Sequence, residues 1–316
     1  NGNGKKKNSD SISYTKVFGK SIIELADNHD DVVAITAAMT DGTGLTDYAQ
    51  TFPQRFFDVG IAEAHAVTFA SGLAIGGLRP VVAVSSSFMQ RAVDSVMHDV
   101  VLQHLPVIFC MDRAGLVGKD GATHHGVFDL AFTGMLPDTI VCAPKDGNEL
   151  RNLLNFAYSI KDKPVFIRYP RANTEHFDIK APVKLPKVGS WEILQEGKKL
   201  AVLAYGSMVE SAKKVCELLK VKELSPTLVN ARFIKPYDKA LLDELAKTHD
   251  RCVTIEEACP KGGLKDVVLE HFQNSELQPK VQSFTLPDAF VTHGDRDELF
   301  KDIHLTVEEI AEKIVK

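Results

Sequence analysis

The sequence predicts an α/β fold in two domains, each a mostly parallel sheet flanked by helices. Three observations predict it. Short apolar runs alternate with stretches of helical period, and strands that are apolar on both faces belong in a parallel sheet covered by helices on both sides. The chain has 316 residues, more than one hydrophobic core comfortably serves. Between residues 173 and 186 the rhythm breaks into prolines and alternating charges with no apolar period, which marks a linker.

Residues 1–12 begin with Asn1-Gly2-Asn3-Gly4 and a lysine triplet, without methionine; this polar, glycine-rich composition is expected of a flexible linker cut from, or engineered onto, a longer chain. The first α/β unit is then placed at 13–172. A helix is expected over 14–28 from its apolar period, and a buried strand over 32–38 from Val32-Val33-Ala34-Ile35. Strand 56–61, helix 63–73, strand 81–85, helix 88–104 and strand 106–111 follow by the same criteria. After a glycine-rich loop come strand 139–143, helix 148–160 behind the capping-box pattern Asp146-Gly147-Asn148-Glu149, and strand 165–168. The second unit is placed at 187–316. Its expected strands are 200–205, 227–230, 251–255 and 281–285, and its helices 209–219, 239–247, 263–272 and 310–315, the last behind Thr306-Val307-Glu308-Glu309.

Hydrophobic content of 44% and charged content of 25% describe an ordinary globular protein. With 37 basic and 42 acidic residues the net charge is −5 and no basic stripe occurs, which argues against nucleic acid and anionic membranes as partners. No apolar run approaches the roughly 20 residues that span a bilayer, and no signal-peptide order is seen; a cytoplasmic location is expected. The five cysteines are scattered without a CxxC pair, so reduced core residues are expected; Cys259, beside Pro260 and Gly262-Gly263, is instead placed near a loop and open to exposure, with no catalytic role expected.

Chemistry concentrates before residue 172. Glu63, in Asp58-Val59-Gly60-Ile61-Ala62-Glu63-Ala64-His65, is a lone carboxylate where an apolar strand gives way to a helix. Such a group is poorly solvated, which makes it a candidate proton donor. Three further blocks accompany it: Ser87-Phe88-Met89-Gln90-Arg91-Ala92-Val93-Asp94, the 112–126 loop with four glycines and Arg113, Asp120, His124 and His125, and Arg168-Tyr169-Pro170-Arg171. Glycines at that density let a backbone approach a ligand closely. In order and spacing the four blocks resemble the thiamine-diphosphate enzymes of the transketolase superfamily, in particular its 1-deoxy-D-xylulose-5-phosphate synthase family.

The resemblance implies a pyrimidine-binding domain at 13–172 and a transketolase C-terminal domain at 187–316 that chiefly supports a homodimer. It implies thiamine diphosphate as cofactor, with pyruvate and glyceraldehyde 3-phosphate as substrates. Glu63 would hand a proton to the cofactor's aminopyrimidine, whose imino form then deprotonates the thiazolium carbon. Phe88 would stack on the pyrimidine. Arg91 would lie near the donor carboxylate, Arg113, Arg171 and Ser86 would bind the acceptor phosphate, and Asp120 and His124 would meet its aldehyde end. His125 and His65 are read as structural, one a hydrogen-bonded neighbour, the other a packed helix residue.

Two departures stand out: Ala64 replaces a glutamine usual after the glutamate, and Ser85 a tyrosine near the phosphate. The superfamily's Gly-Asp-Gly, which holds magnesium on the diphosphate, does not occur; Gly294-Asp295-Arg296 is a poor imitation. No metal ligands are therefore assigned, and magnesium is expected to bind through an N-terminal diphosphate-binding domain as partner. The alternatives are the beta subunit of a 2-oxoacid dehydrogenase, which the phosphate-binding arginines disfavour, and an inactive dimerising or binding fragment.

Overall fold

The computed structural model describes residues 11–316; residues 1–10, expected to be linker, lie outside the described residues. The first α/β unit is built on a seven-stranded sheet. Its order is Phe233–Lys235, Ile140–Cys142, Val165–Arg168, Ile108–Asp112, Arg79–Ser85, Val32–Thr36, Phe56–Asp58. All neighbours are parallel except Phe233–Lys235, which runs antiparallel to Ile140–Cys142. The four strands from Val165–Arg168 to Val32–Thr36 are buried at every position, as strands covered on both faces must be.

The second unit has five strands in the order Lys280–Phe284, His249–Ile255, Lys199–Ala204, Thr227–Asn230, Glu192–Gln195, of which only the last is antiparallel. Its C-terminal helix Val307–Val315 carries a complete capping box between Thr306 and Glu309. The corresponding pattern at Gly147–Ser159 is used differently. Asp146 caps Glu149 N at 2.8 Å, but the Glu149 carboxylate turns to Lys145 N and to Asn230 of the second unit.

Several expectations need correction. The expected helix 88–104 is broken into an α turn at Ser86–Met89, a 3-10 turn at Gln90–Ala92, a short α segment and a π turn at Val96–Val101. The wider π turn lets the adjacent Val100 and Val101 both face inward. The expected strand 56–61 stops at Asp58. There the carboxylate accepts Ala38 N, Gly60 N and Thr40 Oγ1, and Gly60 turns the chain at φ +72°. Burial opposes the charge on Asp58, yet these three bonds hold it below its usual range. Ile12 and Ser13 pair antiparallel with Thr174 and Asn173, at the start of the linker expected over 173–186. The strand Phe233–Lys235 was not foreseen; from within the second unit it covers an edge of the first sheet. The five cysteines are free and buried, and Cys259 is covered despite its loop. Among the described residues no helix is long and apolar enough to cross a membrane.

Glu256, fully buried after strand His249–Ile255, accepts Leu264 N and Lys265 N at 2.8 Å each and so caps helix Leu264–Gln273. Gly263 is obligatory beside it, since a Cβ there would lie 1.9 Å from Oε2. Burial outweighs the two amide bonds and pushes the Glu256 carboxyl from 4.5 up to about 7. A raised carboxyl contributes stability that is complete below the unfolded value and is lost as pH rises from about 4.5 through about 7. Urea melts at pH 5 and pH 8 should therefore show a loss with rising pH that Glu256→Gln reduces, by an amount of the order of 3 kcal/mol at most. An identical pH difference in both proteins would contradict the assignment.

Candidate active site

Parallel strands all end in the same direction, and ligands of such sheets bind beyond their carboxyl ends. Each motif block follows one of those ends. Glu63 comes after Phe56–Asp58, Ser86 and Phe88 after Arg79–Ser85, Arg113 after Ile108–Asp112, and Arg171 after Val165–Arg168. Glu63 opens helix Glu63–Ile75 and is 4% exposed. Its Oε1 takes a 2.6 Å hydrogen bond from the half-exposed Arg91, so the expected proton donor stands in an ion pair. Arg91, read as a contact for the donor carboxylate, also lies over the Phe88 ring, 4.6 Å from its centroid. Phe88 in turn meets His124 edge to face at 5.3 Å, and His124 Nδ1 is 2.8 Å from Thr123 Oγ1.

The two arginines read as phosphate ligands are held differently. Arg113 has φ +63°, and its guanidinium donates to Gly42 O at 2.6 Å and to Asp112 Oδ2 at 3.2 Å. Asp112 is fully buried and also accepts Thr15 Oγ1 and Arg113 N. Burial raises its carboxyl to about 6, against the pull of Arg113, Thr15 and Arg171. Arg171 is instead paired with Asp120, both partners half exposed. Ser86 is fully buried, its Oγ has no hydrogen-bond partner among the described residues, and it lines a cavity of about 210 Å³ with Ser87, Gln90, Thr123 and His125. Ser85 is wholly buried, with its Oγ 3.5 Å from Ser87 Oγ.

His125 fits its structural reading: Nδ1 accepts Val117 N and Nε2 faces Thr292 O, both at 3.0 Å, which assigns the proton to Nε2. His65 does not pack as read; it is exposed, with its ring 6.1 Å from Phe69. Sequence reasoning missed Asp112, which orients Arg113, and a buried pair in which Arg168 grips Asp129 at 2.7 and 3.1 Å. It also missed Glu257 of the second unit, whose Oε1 accepts Leu116 N at 2.7 Å. The only signal for Asp112 and Arg168 was a charged residue ending an apolar strand; Asp129 and Glu257 carried none.

These features define a two-domain α/β protein with a candidate ligand site on the carboxyl edge of its first sheet. The transketolase pyrimidine binding domain family matches residues 10–176 and the transketolase C-terminal domain family residues 189–310; the chain belongs to the transketolase family. It is 48% identical over 304 residues to 1-deoxy-D-xylulose-5-phosphate synthase of Dictyoglomus thermophilum, covering 96% of this chain and 49% of that protein. With the synthase of the same name from Clostridium acetobutylicum it is 45% identical over 303 residues, with the same coverage of 96% and 49%. The chain thus spans about half the length of the curated relatives it matches. A solved structure described as a split gene transketolase, inactive beta4 tetramer, superposes with a TM-score of 0.85 at 28% identity, over 96% of this chain and 97% of that one.

Gly115 shows how tightly the 112–126 loop is seated. It has φ +82°, and a Cβ there would lie 2.5 Å from the Glu257 carboxyl carbon and under 3 Å from both its oxygens. Glu257 cannot step aside, being 1% exposed and bonded to Leu116, Ser207 and Arg296. Gly115→Ala should lower the unfolding free energy in urea by about 2 kcal/mol or more; a midpoint equal to that of the parent would refute this packing.

Proposed function

We propose that this chain provides the pyrimidine-binding and acceptor-binding parts of a thiamine-diphosphate-dependent transferase, which condenses pyruvate with glyceraldehyde 3-phosphate to 1-deoxy-D-xylulose 5-phosphate and carbon dioxide. A shared sheet edge carries the proposal: Glu63, Arg91, Phe88 and His124 touch in series, and on neighbouring loops of the same edge Asp120 pairs with Arg171 and Asp112 with Arg113. The naming of relatives at 45 to 48% identity supports the same substrates.

The residues fit the cofactor. A buried carboxylate with one oxygen unengaged by any hydrogen bond among the described residues is joined through Arg91 to a partly exposed aromatic ring, which suits a flat heterocycle carrying a ring nitrogen. When bound, thiamine diphosphate supplies the electron sink for the carbon that loses carbon dioxide. Glu63 holds a proton at the pyrimidine nitrogen, and Phe88 fixes the plane of the ring. Arg91 shields Glu63 and, being half exposed, can turn towards a donor carboxylate. Arg113, anchored by Asp112 and Gly42, presents a fixed charge to the acceptor phosphate. The Asp120–Arg171 pair is near the surface, where such pairs are worth roughly 0 to 1 kcal/mol. A phosphate can therefore displace it, freeing Asp120 for the acceptor's hydroxyl end beside His124. The buried, unpartnered Ser86 Oγ offers one further donor. The diphosphate and magnesium contacts are assigned to the part of the relatives that this chain does not cover, and the homodimer and cytoplasmic location belong to the same proposal.

The relative described as an inactive tetramer has nearly the extent of this chain. By that likeness we propose that the chain alone does not turn over. The test is to mix it with the amino-terminal half of the Dictyoglomus thermophilum synthase and assay 1-deoxy-D-xylulose 5-phosphate. Product from the mixture and none from either part is expected; absence of product under conditions that support the intact relative would overturn the proposal.

In that mixture Glu63→Gln should cut turnover by roughly a hundredfold or more, since the amide keeps the shape and cannot supply the acidic proton. Rates of C2 proton exchange equal to the parent's would remove Glu63 from this role. Arg113→Ala and Arg171→Ala should each raise KM for glyceraldehyde 3-phosphate about ten- to a hundredfold, given 1.5 to 3 kcal/mol per charge-assisted bond. Unphosphorylated glyceraldehyde is the control, and equal losses with both acceptors would show that these arginines do not read phosphate.

A further inference from the structure

We infer that Glu257 and Arg296, both in the C-terminal domain, are positioning residues for the 112–126 loop, so that recognition of the phosphorylated acceptor depends on a domain that does not touch it. The inference rests on the function proposed above. Glu257 follows strand His249–Ile255 and reaches across to the first unit, where its Oε1 accepts Leu116 N at 2.7 Å. Its Oε2 accepts Arg296 at 2.5 Å and Ser207 Oγ at 3.2 Å. Arg296 closes the clamp by donating to Leu116 O at 2.7 Å. Both backbone polar groups of Leu116 are thus gripped by one ion pair, and Gly115 beside it admits the carboxylate only because it has no Cβ.

What this clamp fixes is direction. Gly115 and Gly126 exchange backbone hydrogen bonds at 2.7 and 2.9 Å, tying the two ends of the loop together. Val117 N bonds to His125, whose other nitrogen reaches Thr292 O of the second unit. Between these anchors the stretch 118–124 meets the second unit through Gly118 O with Gly294 N at 3.5 Å and an exposed Lys119–Asp295 pair. Asp120 and His124 lie in that loosely held stretch, and Arg113 lies two residues before Gly115. A shift at Leu116 therefore displaces the residues assigned to acceptor binding on both sides, while Glu63, Phe88 and Arg91 stand on other segments, Phe88 meeting the loop at His124. Holding two domains together does not by itself require an ion pair, because apolar residues of similar volume serve as well or better. Apolar residues, however, could not meet Leu116 N and Leu116 O, as this acceptor and donor do.

The test has two arms. In the chain as it stands, hydrogen exchange of the 116–125 amides should quicken at least tenfold in Arg296→Leu, and exchange in strands Lys199–Ala204 and His249–Ile255 should stay within about twofold. In the mixture with the complementary half, the same variant should raise KM for glyceraldehyde 3-phosphate about tenfold or more, leaving KM for pyruvate and acceptor-free release of carbon dioxide within about twofold. Arg296→Lys keeps the charge but cannot reach Glu257 and Leu116 together, so it should fall between; it replaces Arg296→Leu in both arms if that variant does not fold. Unchanged exchange in the loop, or KM values for both substrates rising together, would overturn the inference. If the parent mixture makes no product, it is the proposed function that fails, and the exchange arm alone decides.

Discussion

The common direction of the parallel strands is the constraint on which the site depends. Because Phe56–Asp58, Arg79–Ser85, Ile108–Asp112 and Val165–Arg168 run the same way in one sheet, four loops far apart in sequence emerge along a single edge. Glu63, Phe88, Arg113 and Arg171 could not all follow carboxyl ends on that edge if any one strand were reversed. The second sheet turns its own carboxyl ends toward this edge. Ser207 follows Lys199–Ala204 and Glu257 follows His249–Ile255, and both take part in holding the loop after Ile108–Asp112.

Buried charge is distributed along that edge in a way that favours geometry over stability. Asp129 with Arg168, Glu257 with Arg296 and Asp112 with Arg113 each place a carboxylate that is 0 to 2% exposed against a guanidinium. Desolvation cancels most of the Coulombic gain in such pairs, and what survives is the orientation each partner imposes on the other. Asp112 thereby aims Arg113, and Asp129 and Arg168 support the turn at Gly126, whose carbonyl oxygen Arg168 also meets at 3.3 Å. The Asp120–Arg171 pair is of the opposite kind, exposed and readily exchanged for another anion.

Much of this was legible in the sequence. The buried strands showed themselves because residues such as Val81-Val82-Ala83-Val84 are apolar without interruption, and the motif blocks located Glu63, Phe88, Arg113 and Arg171 at strand ends. The π turn did not show itself, because Met89, Ala92, Val96 and Val100 keep an almost helical spacing while Val101 is buried too. Phe233–Lys235 was illegible because three residues flanked by charge carry no strand signal, and their partner lies some ninety residues upstream. Ion-pair partners were illegible for a related reason. Arg91 could be read as a ligand contact, but its bond to Glu63 depends on how two loops emerge. Glu257 and Arg296 lie 141 and 180 residues from Leu116, and nothing local marks them.

Whether the row from Glu63 to Arg113 is one site is most directly decided by a crystal structure of this chain with the complementary half of the Dictyoglomus thermophilum synthase, thiamine diphosphate, magnesium and glyceraldehyde 3-phosphate. The pyrimidine should lie on Phe88 with a ring nitrogen at the Glu63 carboxyl, and the acceptor phosphate between Arg113 and Arg171 with Asp120 released. A pyrimidine bound away from Phe88, or a phosphate that leaves the Asp120–Arg171 pair intact and does not reach Arg113, would contradict a single contiguous site.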